Sequence, residues 1–193
     1  MYPIHRTELE KNMTALSART RVIAGSLAGL AILTGATGVA AAQTAPTRAT
    51  SGPQAVVQTG VLSADASLKI AEAVRKEAAK QGQRVTVVIV DRSGATRLVL
   101  KGDGAGPQTE ESARRKAFTA VSFGKATSEL AKGASGDGPT IADIPGTLFL
   151  GGGVPVASGG APIAGIGVGG APSGDIDEAI AQAGLKAVAG QLG

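Results

Sequence analysis

Beyond Met13 the chain holds no cysteine, histidine, methionine, tyrosine or tryptophan; Tyr2, His5, Met1 and Met13 all lie near its N-terminal end. These absences exclude a good deal of chemistry. Without thiolate or imidazole there is no Cys–His nucleophile pair, no conventional zinc site and no iron–sulfur cluster. No disulfide is available to brace the fold in an oxidising compartment. The aromatic content is 2%, and beyond Tyr2 it consists of Phe118, Phe123 and Phe149. Alanine, valine, isoleucine and leucine must therefore fill the core. A strong charge of one sign is also missing once the N-terminal region is set apart. Of 19 basic and 15 acidic residues, 4 and 2 precede Gln43, leaving 15 against 13. That balance gives no electrostatic case for nucleic acid or for a polybasic membrane surface.

The first 42 residues have the pattern of a signal peptide. Arg6, Lys11, Arg19 and Arg21 precede the apolar run from Val22 to Val39, and Ala40-Ala41-Ala42 supplies the small-residue cleavage pattern. The competing reading is a retained anchor, but glycines and threonines dilute the run. Export to a secreted or extracytoplasmic location is the expectation; Thr20 between Arg19 and Arg21 leaves Sec and twin-arginine routes both open. Residues 43–60, rich in Thr, Pro, Ala, Gly and Gln, read as a flexible linker, and residues 61–193 as one domain.

Within that domain Ser63 is placed to cap a helix running to about Gln81, with Gly82 as its stop and Ala66, Ile70, Ala73 and Val74 as its apolar stripe. Glu72 and Lys76 form an exposed i,i+4 pair. Arg84–Asp91 and Ala95–Lys101 read as a β-hairpin around the turn residues Arg92-Ser93-Gly94. Thr109 is a candidate cap for a helix over 110–123. Thr147–Leu150, Val154–Ala157 and Pro162–Val168 read as three further short strands. Asp175 opens the last helix, with Glu178 as a capping-box partner and a stripe of Ile176, Ile180, Ala183 and Ala187. The order α-ββ-α-βββ-α predicts an α+β domain: a five-stranded antiparallel sheet flanked by helices.

Gly165, Gly167 and Gly170 spell G-x-G-x-x-G, the dinucleotide fingerprint. That fingerprint needs a returning parallel strand and an acid about 20 residues on. Neither follows: no acidic residue lies beyond Glu178, and the last helix is the final element. Eleven glycines between Gly146 and Gly174 make a chance match easy. Such glycines more often mark bulges, turns and close backbone approach.

Four segments carry a family resemblance: RKAFTAVSF (115–123), TSEL (127–130), LFLGGGVPV (148–156) and GAPIAGIGVGGAPSGDIDEAIAQAGL (160–185). Together they resemble the GlcG/HbpS haem-binding, or haem-degrading, domain family, over essentially everything from Val61 onward. The resemblance implies a profilin-like α/β/α arrangement, homo-oligomers that include octamers, and haem as ligand. For the HbpS-type members it also implies redox signalling outside the cell with a sensor kinase. Carried onto this chain, the threonine of the K-A-x-T helix is Thr119. Lys116, Thr119 and Phe123 fall on one helical face at i, i+3 and i+7, offering a cation, a hydroxyl and a ring. Each has an ordinary structural role open to it as well: back-bonding for Thr119, a salt bridge for Lys116, core or interface packing for Phe123. The usual haem ligands are absent, which leaves hydroxyl, amine, carboxylate or water for the iron, or no protein ligand at all. No acid–base constellation marks an enzyme, although slow oxidative haem breakdown needs none. An oligomeric interaction module with another ligand is the alternative.

Overall fold

The computed structural model describes residues 55–134 and 138–193. The signal peptide and most of the linker expected from the sequence lie outside them. Among the described residues four helices and four strands follow one another as α1 (Ala64–Lys80), β1 (Thr86–Asp91), β2 (Thr96–Lys101), α2 (Thr109–Phe123), α3 (Thr127–Ala131), β3 (Gly153–Ser158), β4 (Ala161–Gly169) and α4 (Gly174–Lys186). Short 3₁₀ turns stand at Ile141–Asp143 and Ala189–Gln191. No helix among the described residues is long and apolar enough to cross a membrane.

The sheet is antiparallel in the order β2-β1-β4-β3, two hairpins joined through β1 and β4. It has four strands, not the five expected. Thr147–Leu150 joins no ladder; the Leu148 N–H donates to the Thr119 hydroxyl of α2 at 2.8 Å, so this segment is held by a helix side chain. Strand propensity alone could not foresee that partner.

β1 shows how the layers form. Its side chains alternate, with Val87 and Ile89 packed among α1, α4 and the apolar face of β3–β4, and Val88 and Val90 packed on α2. Both faces are covered, which is why β1 reads as an uninterrupted apolar run. β4 divides its residues more sharply. Ala164, Ile166 and Val168 enter the α1/α4 core, while Gly165, Gly167 and Gly169 turn to α2. A Cβ on Gly165 or Gly167 would overlap the carbonyl oxygens of Ala117 and Ala113 respectively. The glycines therefore let the α2 backbone lie directly on the sheet, and no dinucleotide loop exists here.

Helix ends follow the sequence in part. Ser63 caps α1, accepting from the Ala66 N–H at 3.1 Å. Glu72 pairs with Lys76 as expected, and also with Arg75. Thr109 is the first residue of α2 and not its cap. Its hydroxyl donates to the Gly106 carbonyl at 2.7 Å and meets the Thr86 hydroxyl beneath it, also at 2.7 Å. α4 is capped by Ser173, and Glu178 does not close a capping box; it reaches α3 instead. The buried face of α4 is Asp177, Ile180, Ala181 and Gly184, rotated from the stripe expected.

Candidate functional site

Lys116 and Thr119 are both buried, at 1% and 0% exposure, for different reasons. The Lys116 Nζ donates to the Asp177 carboxylate at 2.8 Å and to the Val168 carbonyl at 3.0 Å, linking α2 to the first turn of α4. Asp177 in turn accepts from the Ala171 N–H at 3.0 Å. Gly152, with φ at 123°, gives the ammonium its passage: a Cβ there would stand 2.9 Å from Nζ. Beside this ion pair Glu178 accepts from the Ser128 hydroxyl at 2.5 Å, and from the Ser128 and Gly152 N–H groups at 3.2 Å each. The Thr127 hydroxyl donates to the Leu150 carbonyl and accepts from the Gly153 N–H, both at 2.8 Å. The glycine turn at 151–153 is thus held from α2, α3 and α4 together.

Thr119 works toward the other end of α2. Its hydroxyl donates to the Arg115 carbonyl at 2.8 Å, the back-bond expected of a mid-helix threonine, and accepts the Leu148 N–H. One lone pair remains on that oxygen. The bond sets Phe149 against Phe123, ring centroids 5.8 Å apart and tilted by 60°. None of the three phenylalanines is in the buried core. Leu150, which follows Phe149 in the chain, is 52% exposed, and Ile144, earlier in the same loop, 46%. A cleft of ≈ 400 Å³ adjoins Phe123 and is lined also by Arg92, Val121, Ser122, Gly124 and Pro162. The Arg92 guanidinium donates to the Pro162 carbonyl at 2.8 Å. It has further N–H donors for a carboxylate. Of the three residues carried over from the resemblance, Thr119 and Phe123 meet the same loop, whereas Lys116 is turned away toward Asp177.

Charge on the outer face of α2 is tightly arranged. Arg114 and Arg115 both donate to Glu111, at 2.8 and 2.7 Å, and hold its carboxyl down at about 2. Since this lies below the usual carboxylate value, the stabilisation is complete above pH 4.5 and is lost as pH falls toward 2. The group is half exposed, so the contribution is small and screened by salt. Glu111→Gln should therefore flatten the acid-side fall in melting temperature slightly, and only at low ionic strength. A large flattening, or one that persists in molar salt, would contradict this.

A sheet buried between one helix and a helix pair, with a half-buried aromatic pair and an arginine-lined cleft at the end of the single helix, defines a three-layer α+β domain. The chain belongs to the HbpS-like haem-degrading protein family, whose description matches residues 62–186. The crystal structure of HbpS is 53% identical with a TM-score of 0.67, over 73% of this chain and 97% of that one. A double mutant of Streptomyces reticuli HbpS gives 52% and 0.66 over the same shares. A PduOC–haem complex is 28% identical with a TM-score of 0.63, over 69% of this chain and 98% of that one. Among curated proteins none matches the chain.

The residues present suit one part of haem better than another. Phe123, Phe149, Leu150 and Ile144 offer apolar surface to a macrocycle, and Arg92 offers a cation to a carboxylate. The iron has no imidazole, thiolate, thioether or phenolate in reach anywhere in the described residues, and the Lys116 amine is committed to Asp177. Phe123 and Phe149 would hold a haem by its ring and Arg92 by a carboxylate edge, and the described residues would offer its iron no strong ligand. Sequence reasoning missed Phe149, Arg92 and Asp177. Only Asp177 left a signal: it stands three residues before Ile180, on the same helical face.

Proposed function

We propose that this chain is an exported haem-binding protein that holds haem weakly, for sequestration or for sensing, at the Thr119–Phe123 end of α2. The observation that carries the reading is the pair Phe123 and Phe149, only partly buried in a chain almost without aromatics, with Phe149 beside the Leu148 N–H that Thr119 holds. In this reading Phe123 and Phe149 would contact the ring, and Thr119 would orient the loop that carries Phe149. Lys116 contributes by fixing α2 rather than by direct contact. Bound haem supplies iron redox chemistry and, with peroxide, a route to its own slow breakdown. Export, homo-oligomeric assembly up to an octamer, and redox signalling to a sensor kinase complete the proposal; they rest on the leader and on the family resemblance.

Titrating haem into the protein should give a saturable Soret change with a high-spin spectrum, and the haem should pass readily to apomyoglobin. Phe123→Ala and Phe149→Ala should each weaken binding roughly tenfold. Thr119→Ala should do the same while Thr119→Ser restores it, because only the hydroxyl holds Leu148. No saturable change at micromolar haem would overturn the reading in favour of an interaction module with another ligand. A low-spin spectrum would show a strong axial ligand that the described residues do not offer.

A further inference from the structure

The two edges of the sheet are finished differently. β3 carries Pro155 and is tied along its start by Thr127 and α3. Proline at an edge removes a donor and discourages further pairing. β2 has no proline, and among the described residues no strand pairs with its outer side. The Gly102 N–H donates inward to the Val85 carbonyl at 2.9 Å. Alternation then points the N–H and C=O groups of Leu100 toward β1, and those of Val99 and Lys101 outward.

Side chains on this edge are equally asymmetric. Val99 lies opposite Val88 and Lys101 opposite Thr86, so both stand on the α2 face of the sheet, where Val99 is 42% exposed. Leu98 and Leu100 stand on the other face, packed against the main core. There a groove of ≈ 300 Å³ runs along β2 beneath the C-terminal end of α1, floored by Val85, Val87 and Leu100 and rimmed by Arg75, Arg84 and Asp103. Arg97 sits at the irregularity where β1 and β2 change register. No salt bridge among the described residues engages Arg84, Arg97 or Lys101. A second copy pairing antiparallel about Val99 would set Arg97 against Lys101, like charge on like, which disfavours that pairing.

We propose that the outer edge of β2 is a strand-addition site for an extended segment of a partner protein that alternates acidic and apolar residues. Main-chain bonds to Val99 and Lys101 would supply affinity, acidic side chains would meet Lys101 and Arg97, and an apolar side chain would enter the groove under α1. The site is independent of haem and lies on the edge of the sheet opposite β3.

The probe is a fluorescein-labelled peptide of alternating glutamate and valine, titrated into the full chain at low salt and followed by anisotropy. Saturable binding is expected, absent for the lysine–valine counterpart. Val99→Pro removes an outward N–H and leaves the β1 ladder intact, and should weaken binding roughly tenfold with little change in melting temperature. Lys101→Glu should weaken it similarly without touching the backbone, so a poorly folded proline variant does not end the test. The proposal is overturned if the glutamate peptide does not bind, if the lysine peptide binds as well, or if both variants bind like wild type. It is also overturned if Val99→Pro instead breaks up a self-association of the wild type, which would assign the edge to a second copy.

Discussion

Lys116→Met is expected to destabilise the domain by about 3–5 kcal/mol, the cost of stranding a buried charge. The Asp177 carboxylate would keep only the Ala171 N–H as a partner, at 3.0 Å, in a site where Asp177 is 3% exposed. Against a typical total of about 5–15 kcal/mol this is a large fraction. With a slope of about 1–3 kcal/mol/M in urea, the midpoint should fall by roughly 1 M or more. Circular dichroism is the appropriate probe, since no tryptophan exists in the chain and its one tyrosine is Tyr2. The double variant K116M/D177N should recover most of the loss. It removes both charges, and the asparagine oxygen still accepts from Ala171. A single variant costing less than about 1 kcal/mol would mean that water reaches the carboxylate and that the ion pair is not the clasp described.

The contrast between fold and site explains what the sequence displayed and what it concealed. α1 and β1 were legible because their signals are local: Ser63 three residues before Ala66, and a β-branched run with no polar break. The G-x-G-x-x-G string was rightly denied to a nucleotide, because the missing parallel strand is a topological fact visible in element order. Thr147–Leu150 misled because its β-prone side chains say nothing about Thr119, which lies 29 positions away and takes the backbone donor a ladder would need. Lys116 and Asp177 are separated by 61 positions. Each nevertheless announced itself weakly, as a charged residue on an otherwise alanine- or isoleucine-lined face. Arg92 gave no signal at all, since a turn arginine before Ser93-Gly94 reads as solvent-exposed chemistry until the cleft beside Phe123 is known. Local chemistry wrote the elements; the site is made by contacts between elements.

Gly167→Ala is the second large effect, expected to cost about 3 kcal/mol or more, or to prevent folding. The added methyl would overlap the Ala113 carbonyl oxygen and lie 2.7 Å from the Ala117 nitrogen. Overpacking a core typically costs about 1–3 kcal/mol when side chains can turn aside. Here the obstructing atoms are backbone, and the nearest side chains on α2 are alanines with nothing to rotate, so the whole helix must lift from β4. Gly190→Ala provides the comparison: that glycine has nothing within 4 Å of its added carbon and no left-handed φ. Its replacement should change stability by no more than about 0.5 kcal/mol. Urea midpoints of the two variants decide the matter, and equal midpoints would refute the close seating of α2 on the sheet. The lift has a second consequence, because α2 carries Thr119 and Phe123 as well as Ala113. If Gly167→Ala folds, it should also disturb the Leu148–Phe149 loop and weaken haem, whereas Gly190→Ala should not. The glycines that resemble a phosphate cradle would then matter to ligand binding through the helix they support.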